Sequence, residues 1–219
     1  MHFQFLIEDQ SSAELIEVLM PKVIAGLQDA TFDCKSFHGL GGFTKKNTVK
    51  ETRTGKLLND LATYLRGFDK SLQGISAAII IVLDNDTRDP EVFRSELEDV
   101  AKRNSIFVDH VFCIAVEEVE AWLLGDSNAI RMAYPNARLS VLQSYVQDSI
   151  CGTWEVLADI VYSGGFSKFK KQNPTYAEIG RKKREWAGEI GKFMSIDENK
   201  SPSFRFFIGE LRKRLVGVS

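Results

Sequence analysis

Cysteine is scarce in this chain of 219 residues: Cys34, Cys113 and Cys151 are the three present. They form neither a CxxC spacing nor an even set, which argues against a disulfide framework and favours a reducing cytoplasm. Long hydrophobic runs are also missing. The longest, Ile75–Leu83, is interrupted by Ser76 and is far too short to span a bilayer. The N-terminal MHFQFLIEDQ lacks a basic region ahead of a long apolar stretch, so a signal peptide is not expected. No Walker A pattern, no GxGxxG and no Ser-His-Asp or Cys-His arrangement occurs. Internal repeats and low-complexity tracts are absent as well.

What is present is an ordinary globular composition, 44% hydrophobic and 26% charged. That excludes a disordered chain and a collagen-like repeat. The net charge of -2 conceals an asymmetry. Residues 1–164 hold 15 basic and 24 acidic side chains, a net of -9, and residues 165–219 hold 13 and 6, a net of +7. An acidic front and a basic tail leave a polyanionic partner open.

The first 120 residues alternate between strand and helix patterns. Phe3–Ile7 reads as a strand. Ser11 with Glu14 reads as a capping box, opening a helix through Leu15, Ile16, Leu19, Val23 and Leu27. Thr31–Phe37 is a second strand, followed by His38–Gly42 and then a basic stretch with Lys45 and Lys46. Leu58, Leu61, Leu65, Phe68 and Leu72 mark a second helix. Ala77–Leu83 is an unbroken apolar run, as in a strand buried on both faces of a parallel sheet. Asp89-Pro90 begins a third helix, and Val108–Val116 is a fourth strand. This order predicts an α/β fold with a parallel sheet of about four strands flanked by helices. Beyond it the pattern is helical, at 140–145, 154–162, 176–194 and 203–215. The expected division is an α/β core over 1–125 and a basic helical region over 126–219 packed on it.

In a parallel sheet, ligands bind beyond the carboxyl ends of the strands. Here those ends carry Glu8-Asp9, Asp84-Asn85-Asp86 and Glu117-Glu118-Val119-Glu120, with His38 after the second strand. Clustered carboxylates repel one another unless a cation offsets them. A hard cation such as Mg²⁺, or Mn²⁺ in its place, takes oxygen ligands of this kind. Two residues apart, Asp84 and Asp86 face the same way in extended chain. Glu117 and Glu120 are candidates for a second ion. Each acidic residue also has a plainer reading: Asp and Asn are common turn residues, Glu8 suits a helix start, and Glu117, Glu118 and Glu120 suit a solvated strand end.

A glutamate after the first strand with DxD after the third resembles the Toprim superfamily. Glu8, Asp84 and Asp86 occupy those positions. The resemblance implies that the aspartates hold Mg²⁺ and that the glutamate is a general acid/base or a further ligand. The runs IAVEEVEAWLLGD (Ile114–Asp126) and NKSPSFRFF (Asn199–Phe207) resemble motifs of uncharacterised bacterial Toprim-like proteins. These are distantly similar to nucleases of the overcoming-lysogenization-defect family. The chain departs from many Toprim domains by reading DNDTRDP, without a glycine and a further acid directly after the DxD.

Several other features have two readings. HGLGG, with His38, reads as a turn or as a phosphate cradle. Lys45, Lys46, Lys168, Lys170, Lys171 and Arg205 are candidates for phosphate contact, as Phe166 and Phe169 interleave with the lysines; solvated helix faces are the alternative. Arg205 is also a candidate to pair with the acidic edge. Trp122, Trp154 and Trp186 read as core residues. The acidic strand ends and the Toprim resemblance together give the expectation of a cytoplasmic Mg²⁺-dependent nuclease acting on DNA or RNA, and a place in a bacterial defence system is what the resemblance implies. The alternatives are a non-catalytic partner or sensor subunit of an ATPase, and a Mg-nucleotide phosphotransfer or hydrolysis enzyme.

Overall fold

The computed structural model describes residues 1–39, 41, 56–150 and 152–216. Four strands form one parallel sheet in the order β2-β1-β3-β4: β1 (His2–Ile7), β2 (Thr31–Ser36), β3 (Ala77–Asp84) and β4 (Asp109–Ala115). The helices between them are α1 (Gln10–Val23), α2 (Leu57–Ser71) and α3 (Pro90–Arg103). The fold is α/β and Rossmann-like, as the alternation predicts. Strand β3 is buried along its whole length, which explains its lack of polar alternation.

Successive side chains of a strand point to opposite faces, so the sheet supports two cores. Leu6, Ile79, Ile81, Leu83, Phe112 and Ile114 pack against α2 and α3. Phe3, Phe5, Ile7, Ile80, Val82 and Cys113 pack on the other face, against α1 and the helices that follow β4. Those are α4 (Glu120–Leu124), α5 (Ser127–Ala133), a 3₁₀ turn (Leu139–Ser144), α6 (Thr153–Val161), α7 (Gly165–Gln172), α8 (Tyr176–Gly191) and α9 (Pro202–Leu215). The segments before and after residue 125 thus share one core. Helix α8 lies along α1, where Gly188 and Gly191 leave room for Glu14, Leu15 and Val18. Helix α9 packs on β4 through an apolar face that includes Phe204, Phe207, Ile208 and Leu211.

The two long motifs meet in this core. Trp122 stacks on Phe207 with ring centroids 5.0 Å apart and meets Phe204 edge-on. Asn199 donates from Nδ2 to the Trp122 carbonyl, and its Oδ1 accepts from Ser201 N–H. A Cβ on Gly125 would lie 2.0 Å from Asn199 Oδ1, so only glycine fits there. Ser201 caps α9, with Pro202 in its first turn. Much of both motifs is therefore accounted for by one packing junction.

Some local expectations are corrected. Helix α1 starts at Gln10, not Ser11, because Asp9 caps it by accepting from Ser12 N–H. Glu14 instead pairs with Arg184 of α8 at 2.8 Å. A capping box does occur at Thr175 and Glu178. Helices α5 and α7 were not foreseen. The first is capped by Asp126. The second begins at the Gly164-Gly165 pair, where both residues have positive φ. No helix among the described residues is long and apolar enough to cross a membrane.

Candidate functional site

The chain passes from β1 to β2 on one side and then returns to β3 on the other side of β1. The topological switch point is therefore the crevice between the carboxyl ends of β1 and β3. Glu8 and Asp84 stand there. Glu8 directly follows β1, and its Oε2 accepts from the backbone N–H of Asp84 at 2.9 Å. Both side chains are buried. Asp84 Oδ1 is buried and has no hydrogen-bond partner among the described residues. Burial pushes the Glu8 carboxyl up to about 7, with Asp9 and Asp86 adding like charge. Burial also raises Asp84 well above the usual carboxylate range, helped by the charge of Glu8.

Asp86 does not continue the strand. The chain turns after Asp84, and Asp86 has φ +50°. Its side chain is exposed and pairs with Arg88 at 2.9 Å. The same-face expectation fails because β3 ends at Asp84, before the DxD pair is complete. Asp86 stays close enough to raise the Glu8 carboxyl. Between the two aspartates, Asn85 is fully buried and acts as a clamp. Its Oδ1 accepts from Glu117 N–H, and its Nδ2 donates to the Arg88 carbonyl. Asp86 N–H donates to the Glu117 carbonyl at 3.1 Å. Glu117 also has a left-handed backbone, φ +63°. Two non-glycine residues in this sparsely populated region thus face each other across the loops after β3 and β4.

Glu117 and Glu120, expected to share a second ion, have separate partners. The Glu117 carboxylate accepts from Gly152 N–H and Thr153 N–H, at 2.8 Å and 2.9 Å, and so caps the start of α6. Glu120 is 0% exposed and lies 3.2 Å from Lys183 Nζ of α8. Lys183 also lies 3.2 Å from Glu118. Burial raises the Glu120 carboxyl to about 7, against the pull of Lys183. The surrounding carboxylates hold the Lys183 ammonium above its ordinary range despite its burial.

Lys183 stands in the basic run Arg181–Arg184 and is absent from the candidates named from the sequence. Its signal was positional: Ile179, Lys183, Trp186 and Ile190 recur at helical spacing, so a lysine occupies a core-facing position. Such a lysine needs a buried anion.

The remaining candidates are dispersed. His38 is exposed at the end of β2, and its carbonyl accepts from Lys56. Lys168, Lys170 and Lys171 are exposed on α7, with Lys170 5.7 Å from the Phe166 ring centroid. Arg205 is exposed on α9 and makes no ion pair among the described residues. Lys45 and Lys46 lie outside the described residues. Trp122 and Trp186 are core residues, and Trp154 packs on Phe166 and Phe169. Burial pushes the Cys34 and Cys113 thiols up to about 12, which disfavours nucleophilic thiolates.

Among the described residues, no group of three or more His, Cys, Asp or Glu side chains is arranged to hold a metal ion. Glu8 and Asp84 do provide two adjacent oxygen donors, one of them an unpartnered buried oxygen. That suits a cation such as Mg²⁺, which takes one or two carboxylates and keeps several waters. Comparison of the chain with protein-family models, with curated proteins and with solved structures returns no match.

Proposed function

We propose that the chain is a Mg²⁺-dependent enzyme that cleaves phosphodiester bonds of nucleic acid at the Glu8–Asp84 crevice. The observation that carries this reading is the pair of buried carboxylates at the switch point, joined through Asp84 N–H with Asp84 Oδ1 left unpartnered. Such a pair is costly to keep ionised without a cation. The resemblance of Glu8, Asp84 and Asp86 to the Toprim pattern supports the same assignment.

In this reading Asp84 and Glu8 would hold the ion, with Asp86 adding negative charge nearby. When bound, Mg²⁺ would polarise a phosphoryl oxygen and neutralise charge on the phosphate. Burial raises the Glu8 carboxyl to about 7 in the cation-free chain, and a bound ion would hold it ionised as a ligand. Lys183 positions Glu118 and Glu120 and limits the negative field that a phosphate must enter. The Asn85 clamp fixes the loop carrying Asp86 against the loop carrying Glu117.

The test is cleavage of labelled single-stranded and duplex DNA and RNA by the full chain, with Mg²⁺ or Mn²⁺ and with EDTA. Cation-dependent cleavage is expected from the wild type. Asp84→Ala should reduce it to background, and Glu8→Gln should reduce it by about 100-fold or more. Cleavage that survives Asp84→Ala sinks the assignment. Nucleotide hydrolysis without polymer cleavage would move it to a Mg-nucleotide enzyme.

A further inference from the structure

Helix α8 runs alongside α1, with Gly188 and Gly191 facing Glu14, Leu15 and Val18. Its first turns extend past the start of α1 and stand beside the acidic crevice. Lys183 faces the carboxylates from that wall. An adjacent face, carrying Tyr176, Gly180, Arg181 and Arg184, lines a groove of about 660 Å³ closed on the far side by Asp9 and His38. Of these residues, His38 belongs to the glycine-rich turn that the sequence offers as a phosphate cradle. Asp9 adjoins Glu8 in the chain, so one end of the groove meets the proposed cleavage site.

We propose that this groove seats a nucleotide of single-stranded nucleic acid, its base on Tyr176 and its phosphate on Arg181. The proposal rests on the phosphodiester-cleaving reading for the class of polymer. Tyr176 is 94% exposed, an unusual position for an aromatic ring that serves only packing. Exposed aromatic rings in basic grooves stack unpaired bases without regard to sequence. Gly180 lies one turn further along the same face, and a Cβ there would meet nothing within 4 Å. The floor beside the ring is therefore open to a flat base. Arg181 is exposed and in no ion pair among the described residues. Its neighbour Glu178 is tied into the capping box with Thr175. Arg184 shares its charge with Glu14 and frames the groove's inner end. A duplex buries its base faces in its own stack, so a stacking ring selects a single strand.

The test is fluorescence anisotropy of a labelled oligothymidine or oligouridine of about 12 nucleotides in EDTA, where binding is separated from cleavage. Tyr176→Ala should weaken binding at least about fivefold, while Tyr176→Phe stays within about twofold. Arg181→Ala should weaken it and lower the salt slope by about one. Tyr176 and Arg181 are both exposed, and circular dichroism checks the fold of each variant. The inference is overturned by absence of oligonucleotide binding, or by unchanged binding in Tyr176→Ala and Arg181→Ala. It is also overturned by equal duplex binding with the same sensitivities, or by mononucleotides binding more tightly than the strand. Cleavage with no groove dependence would sink this inference alone. Groove-dependent binding without cleavage would sink the enzymatic reading alone.

Discussion

The backbone N–H of Asp84 donates to Glu8 Oε2 across 2.9 Å, so the ends of β1 and β3 are joined through a buried carboxylate whose carboxyl burial pushes up to about 7. One Glu8 oxygen is satisfied by this bond, while Asp84 Oδ1 has no hydrogen-bond partner among the described residues. The arrangement stores repulsion at the crevice. Asp84→Asn removes one charge from it and keeps the shape. The variant is expected to be more stable than the wild type in EDTA at pH 8 and inactive with Mg²⁺. A gain of about 1 kcal/mol corresponds to about 2–4 °C in a chain of this size. Calorimetry in EDTA measures it, and a variant less stable than wild type would refute the stored repulsion.

The raised carboxyls also fix a pH dependence. In the unfolded chain Glu8 and Glu120 titrate near 4.5, and in the folded chain at about 7. Between those values the folded state binds more protons than the unfolded state. Their contribution to stability is therefore greatest at low pH and is lost as pH rises through that window. Glu178 and Glu210, lowered by their hydrogen bonds, act with the opposite sign at lower pH. The crevice contribution is isolated by urea unfolding of wild type against Glu8→Gln in EDTA. The difference in favour of Glu8→Gln should grow from pH 5 to pH 8. An invariant difference would mean that Glu8 titrates normally.

A cation and a proton compete for the same oxygens. Thermal stabilisation by Mg²⁺ or Mn²⁺ should be small at pH 5.5 and larger at pH 8, with protons released on binding. Calorimetric titration in buffers of different ionisation enthalpy counts those protons. Equal stabilisation at both pH values, or stabilisation that survives Asp84→Asn with Glu8→Gln, would place any bound ion elsewhere.

The fold was legible because β3 is apolar on both faces and α1, α2 and α3 keep strict helical spacing. The carboxylates were legible because strand ends converge in a parallel sheet. What failed were statements about direction. Asp86 follows a strand end and turns out to φ +50°. Glu117 caps a helix that begins 36 residues later at Thr153, a partner no local pattern reveals. Lys183 is flanked by Arg181, Lys182 and Arg184, a run of charge that masks the core-facing position marked by its spacing from Ile179, Trp186 and Ile190.

Glu117 distinguishes a cap from a metal ligand. Glu117→Gln keeps an acceptor but removes the charge from the α6 terminus, and should cost about 0.5–2 kcal/mol. Cation-dependent stabilisation should persist at pH 8. Loss of that stabilisation without loss of folding would restore Glu117 as a ligand.

The Lys183–Glu120 pair yields the sharpest stability contrast. Glu120 is fully buried, and Lys183 lies 3.2 Å away. Lys183→Met leaves that carboxylate with no cation and Glu118 with one partner fewer. Breaking a buried pair from one side costs about 3–5 kcal/mol. Replacing both members removes the uncompensated charge as well, so Lys183→Met with Glu120→Gln should recover most of the loss. The double-mutant cycle, read by urea unfolding at pH 7.5, should therefore be strongly non-additive. Additive losses would mean that the two side chains act independently, with Lys183 held chiefly by Glu118. Activity adds a second readout: if Lys183 only holds the acidic residues in place, the double variant should regain cation-dependent cleavage along with its stability. If Lys183 meets the phosphate itself, stability returns and cleavage does not.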